Sequence, residues 1–107
     1  VTVDAQNAES VAPGAGGRVE KLIVAVLPNA LAGGAVDALV AAGCGVTRIA
    51  STGGFLRQGN TTLLAGVSAT ALEGALAAVR GACRAGSRET AGRTTLLVLN
   101  VVAAERL

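Results

Sequence analysis

The stretch Ser51-Thr-Gly-Gly-Phe-Leu-Arg-Gln-Gly-Asn-Thr-Thr62 gathers residues whose chemistry folding alone does not require. Phe55 is the only aromatic residue of the chain, and with Leu56 it sits in an otherwise polar, glycine-rich segment. Gly53 and Gly54 allow close approach of the backbone and can aim successive N–H groups at an anion. Arg57 can neutralise a phosphate, and Asn60 offers a donor and an acceptor to a base edge or a ribose. Exposing Phe55 costs solubility unless something covers it. A neighbouring subunit could do so, and so could a ligand ring stacked on it, a contact worth roughly 1–3 kcal/mol per base. The two are compatible, because a site between subunits would use both.

Catalysis finds little support. With no histidine in the chain, Ser-His-Asp and Cys-His nucleophile systems and the ordinary zinc hydrolase are ruled out. Cys44 and Cys83 form no C-x-x-C pair and read as small buried apolar residues. Asp37 and Glu73 fall on helices, with nothing to place a second acid, base or metal beside either. Neither a Walker loop nor a G-x-G-x-x-G turn is present. A binding protein without metal or cofactor is expected, not an enzyme. Nine basic residues against seven acidic leave a net charge of +2. One aromatic and no basic stripe argue against nucleic acid as the partner.

The elements that must position these residues follow from periodicity. Residues 1–20, with Pro13-Gly-Ala-Gly-Gly17, lack a period and read as a flexible N-terminal tail before a domain over 21–107. Lys21–Leu27 is a continuous apolar run, expected as a strand buried on both faces. Asn29 is placed to cap a helix over 30–42, with Val36, Leu39 and Val40 at helical spacing and Gly43 as its stop. A strand over about 45–51 follows, then a loop over 52–59. Asn60–Val67 forms a third strand, with Leu63, Ala65 and Val67 on one face. Ser68 to Arg84 reads as a helix, because Leu72, Leu76, Val79 and Cys83 make one apolar stripe. Thr70 and Glu73 have capping-box spacing, and Arg80 and Arg84 suit the negative helix end. Thr94–Val102 is a last strand, apolar on both faces apart from Asn100.

The order β-α-β-β-α-β is the ferredoxin-like α+β sandwich. Its last strand ordinarily lies at a sheet edge, and an edge apolar on both sides invites pairing. The chain has 107 residues, 51% of them apolar and 15% charged, against a usual charged share of roughly 25%. So apolar a small domain is expected to self-associate. Residues 22–42 have the length of a membrane span. Pro28-Asn29, Gly33-Gly34 and Asp37 break them into strand, turn and helix instead, so a cytoplasmic protein off the membrane is expected.

Together with KLIVAV at 21–26 and VTRIAS at 46–51, TGGFLRQGNTTLLAGV at 52–67 resembles the PII-like cyclic di-AMP receptor family. The similarity runs over about 21–84 and returns at TTLLVLNV, 94–101. It implies a homotrimer with a ferredoxin-like core that binds cyclic di-AMP, or a related adenine nucleotide, between subunits without turning it over. A downstream protein partner would read the ligated state. The ligand positions it implies are Thr47, Gly54, Phe55, Leu56, Asn60 and Gly66. Members usually carry Asn and Arg where this chain has Gly43 and Gly45, and a longer loop where it has 85–93. Losing a phosphate-facing Arg removes about 1.5–3 kcal/mol, ten- to hundred-fold in affinity. The alternative is a structural or adaptor trimer with a degenerate site, in which Phe55 serves packing.

Overall fold

The computed structural model describes residues 8–10, 18–50, 59–86 and 93–105. Its elements in chain order are β1 (Ala8–Ser10), β2 (Lys21–Pro28), α1 (Asn29–Ala41), β3 (Gly45–Ala50), β4 (Asn60–Val67), α2 (Leu72–Arg84) and β5 (Thr95–Asn100). The strands form one sheet in the order β1-β3-β4-β2-β5, with every neighbouring pair antiparallel. β2 through β5 reproduce the ferredoxin-like arrangement, and β1 adds a fifth strand on the outer edge of β3.

Side chains alternate across each strand, so residues opposite one another share a face. On the helix-covered face the β2–β4 ladder sets Ile23 against Ala65 and Ala25 against Leu63, a large residue facing a small one each time. Val46 of β3 also faces Ala65. All five are at most 1% exposed. Leu31, Ala35 and Leu39 of α1 and Ala75, Leu76, Val79 and Cys83 of α2 close this core, with Leu72 packed at its margin. The expected α2 stripe is thus the one that is buried. On α1, Leu39 is fully buried, Val36 packs at the margin of the core, and Val40 faces solvent. The third turn of α1 therefore meets the sheet through a narrower face than its apolar residues suggested.

The helix ends differ from expectation. Asn29 does not cap α1: Pro28 precedes the first helical residue, and no side chain caps this end. Proline already holds the φ that helix entry needs and has no N–H to satisfy. The Asn29 amide group serves the tertiary structure instead, accepting a hydrogen bond from Thr61 Oγ1 at 2.5 Å. At α2 the Thr70–Glu73 box is not formed. Helix begins at Leu72 after a turn in which the Ala71 N–H donates to Ser68 Oγ at 3.2 Å and the Thr70 hydroxyl lies 3.2 Å from that of Ser68. Gly43 is the stop of α1, at φ +85°.

Within residues 1–20, two described stretches are bonded to the sheet. Ala8, Glu9 and Ser10 pair with Ile49, Arg48 and Thr47. The Glu20 N–H donates to Val67 O at 2.9 Å, and its carbonyl accepts from Val101 N at 3.0 Å. Beside it, Val19 lies over Gly66: a Cβ there would come within 2.8 Å of a Val19 methyl. The last strand is shorter than 94–102 but takes the expected edge position, leaving Leu97, Val98 and Leu99 between 41% and 50% exposed. The apolar stretch 22–42 divides into β2 and α1, and among the described residues no helix is long and apolar enough to cross a membrane.

Two glycines give testable consequences. Gly43→Ala is expected to cost about 1–2 kcal/mol, because a Cβ is disfavoured in the left-handed region. Gly43→Asn should cost less, since asparagine enters that region more readily. Urea midpoints at unchanged m would read both. Gly66→Ala should destabilise the chain while Val19 is present and much less when Val19→Ala accompanies it. A double-mutant cycle should return a coupling of about 1 kcal/mol.

Candidate functional site

The helix-free face of the sheet carries the candidate residues. Register places Gly45, Thr47 and Ile49 of β3 opposite Gly66, Leu64 and Thr62 of β4. On the other side of β4, Asn60, Thr62, Leu64 and Gly66 face Pro28, Val26, Val24 and Leu22 of β2. Leu97 and Leu99 of β5 lie opposite Val24 and Leu22 and extend the same face. Thr47, Asn60 and Gly66 therefore share one surface, on the side away from the helices. They are spread along it: Asn60 and Gly66 are six positions apart, roughly 20 Å of strand. Thr47 lies beside Leu64, between those ends. Gly53, Gly54, Phe55, Leu56 and Arg57 lie outside the described residues.

The segment that carries those five leaves β3 after Ala50 and returns at Gly59. Ala50 is paired with Thr61, and Asn60 with Pro28. Gly59 adopts φ +90°, and its carbonyl accepts from the first helical amide, Asn29 N, at 2.8 Å. With the Thr61–Asn29 bond beside it, the start of β4 is tied to the start of α1 at two points. Asn60 is thus held where the connection ends and the sheet begins. Its Oδ1 is buried and has no hydrogen-bond partner, and the same is true of Thr62 Oγ1. Sequence reasoning passed over Thr62. Its signal was a hydroxyl at the alternate position after Asn60, in a strand otherwise apolar on that face from Thr62 to Gly66.

At the opposite end, Gly45 and Gly66 face each other and leave the sheet bare of side chains. The space above Gly66 is taken by Val19. Gly66 therefore has a packing reason to be glycine, whatever else it does. Below this end lies an open cleft between Arg18–Lys21, Ala69 and Asn100–Glu105. Two of its polar groups are already engaged, Lys21 Nζ donating to Asn100 Oδ1 at 2.5 Å and Glu20 Oε1 accepting from Ala69 N at 3.2 Å.

Lys21 and Arg48 alternate to the other side, so the β2, β3 and β4 positions that make up the helix-free face carry no charged side chain. Both cysteines are buried and free of disulfide. Burial pushes the Cys44 thiol above its ordinary value, and Cys83 Sγ lies 3.6 Å from Thr94 Oγ1. Both sit in the helix-side core, away from the candidate face. Among the described residues no cluster of acidic or cysteine side chains could hold a metal. The arrangement suits recognition of a neutral, hydrogen-bonding group at the Asn60 end.

Comparison with known proteins agrees with this fold. A protein of unknown function from Pediococcus pentosaceus has a similar structure, with TM-score 0.66 and 26% identity over 84% of this chain and all of that one. A DUF3240 family protein from Shewanella baltica shares the fold at TM-score 0.58 and 18% identity, over 84% of this chain and 98% of that one. No curated protein matches the chain. Residues 20–102 match the model of the cyclic-di-AMP receptor family. That span takes in the whole sheet except β1, both helices and every candidate residue from Thr47 to Gly66, and the chain belongs to the cyclic-di-AMP receptor family.

Proposed function

We propose that this protein is a signal-transduction receptor that binds cyclic di-AMP at clefts between the subunits of a homotrimer and does not turn it over. The observation that carries the reading is the family match over 20–102, with Thr47, Asn60 and Gly66 on a single helix-free face. In this reading Phe55 stacks on an adenine, and the Gly53 and Gly54 amides with Arg57 meet the phosphates. Leu56 adds apolar contact beside Phe55. Asn60 and Thr47 supply hydrogen bonds along the sheet. Ligand contact with the 52–59 and 85–93 segments changes the surface, which a downstream protein in the cytoplasm reads.

Self-association is supported by the same face. Leu22, Val24, Val26, Leu64, Leu97 and Leu99 form an apolar belt with no helix over it, and Leu97 and Leu99 are half exposed in the single chain. A second copy covering this belt removes that surface from water at about 25 cal/mol per Å².

One observation favours the degenerate alternative. Val19 occupies the space over Gly66, and the facing position is Gly45 rather than a cation. A trimer with a weakened site would retain the belt and lose the ligand.

Calorimetric titration with cyclic di-AMP, with ATP and cyclic di-GMP as controls, separates the readings. The receptor should show saturable binding near one ligand per subunit, abolished by Phe55→Ala while light scattering still reports a trimer. Absence of heat with every nucleotide would leave the adaptor. Leu97→Ser with Leu99→Ser should yield monomers, and a variant still trimeric would place the interface elsewhere.

A further inference from the structure

Strand β4 contains two adjacent buried threonines that face opposite ways. Thr61, 3% exposed, turns to the helix side and donates its hydroxyl to Asn29. Thr62, 8% exposed, turns to the helix-free face, and its Oγ1 has no partner. Its register neighbours there are Val26 and Ile49, so valine, equal in shape and equally β-branched, would pack as well in such a place. A buried hydroxyl without a partner costs free energy that valine would avoid. Folding of the single chain accounts for the methyl of Thr62 and leaves the hydroxyl unexplained.

The nearest polar group along the same face of the strand is Asn60, two residues away and on the order of 7 Å in strand rise. Its Oδ1 is likewise buried and unpartnered. Two unpartnered polar atoms at successive positions on one face of β4 leave hydrogen-bonding demand that a single ligand group could meet. Neither is charged, and Lys21 and Arg48 belong to the other face of the sheet. An amide oxygen that can only accept, beside a hydroxyl that can do either and with no cation on this face, fits the edge of a nucleobase, which presents donors and acceptors, better than a phosphate, which presents acceptors alone.

We infer that Thr62 is a ligand-binding residue, its hydroxyl completing with Asn60 a polar pair that receives the base edge of the bound nucleotide. This rests on the receptor reading above and extends it to a residue outside the positions drawn from the sequence. The free protein carries the cost of the unpaired hydroxyl, and the ligand relieves it. Affinity and stability are therefore coupled with opposite sign at this residue.

The test compares wild type, Thr62→Val and Thr62→Ser by calorimetric titration with cyclic di-AMP and by urea unfolding without ligand. Thr62→Val is expected to leave the urea midpoint equal or higher and to weaken binding about five- to tenfold. Thr62→Ser, which keeps the hydroxyl, should bind within about twofold of wild type. Wild-type affinity in Thr62→Val overturns the inference and leaves the receptor reading intact. So does a Thr62→Val variant that changes only the oligomeric mass, which would assign the hydroxyl to a neighbouring subunit. A wild-type protein that gives no saturable heat overturns the receptor reading and this inference with it.

Discussion

Two helices cover one face of a sheet whose strands are apolar on both, and the remaining structure follows from that imbalance. β2 shows it most directly. Ile23, Ala25 and Leu27 are fully buried beneath α1 and α2, while Leu22, Val24 and Val26 between them face away from any helix. A strand in the middle of a sheet with such a sequence needs a second layer. In this chain the second layer is not a helix, and the same strip of sheet also holds the candidate ligand residues. On the proposed reading, assembly and recognition would both use this face.

The covered side explains how so alanine-rich a chain builds a core. Alanine adds little buried area, yet Ala25, Ala35, Ala65 and Ala75 are all at most 1% exposed. Ala25 and Ala65 stand opposite Leu63 and Ile23 across the ladder, so each large side chain has a small one as its neighbour on the strand beside it. An alanine-rich composition is matched by complementary sizes at paired positions. Size matching also fixes the register of β2 on β4, because a slip by one residue would exchange the two faces.

Much of this was legible in the sequence. The continuous apolar run of β2, the Leu72–Cys83 stripe of α2 and the alternation of Leu63, Ala65 and Val67 are local patterns, and each landed on the expected element. What escaped depended on partners distant in the chain. Asn29 has the look of a cap, but its oxygen is taken by Thr61, thirty-two residues on. Thr70 and Glu73 have the spacing of a capping box, but Ser68 reaches the backbone first. Neither β1 nor the seat of Val19 on Gly66 has a periodic signature, since three residues are too few to show a period. Of the candidate positions, alternation along β4 already puts Asn60 and Gly66 on the same face. Thr62 between them stayed hidden until Thr61, its neighbour, was seen to have a partner and Thr62 none.

The two ends of the candidate face are consequently unlike. At the Gly45–Gly66 end the sheet is bare, and Val19 from outside the family-matched region fills the space that glycine leaves. At the Asn60 end two buried polar atoms stand without partners, beside the connection that carries Phe55. A ligand lying along β4 would find van der Waals contact at one end and unmet hydrogen-bonding demand at the other. Orientation follows from that asymmetry, because unmet buried polar groups discriminate between ligand groups far more sharply than apolar contact does. On the proposed reading, the base is the part of the ligand turned toward the Asn60–Thr62 end. Whatever lies toward Gly66 must share its space with Val19, so the stretch preceding Lys21 becomes a determinant of how much ligand the face can hold.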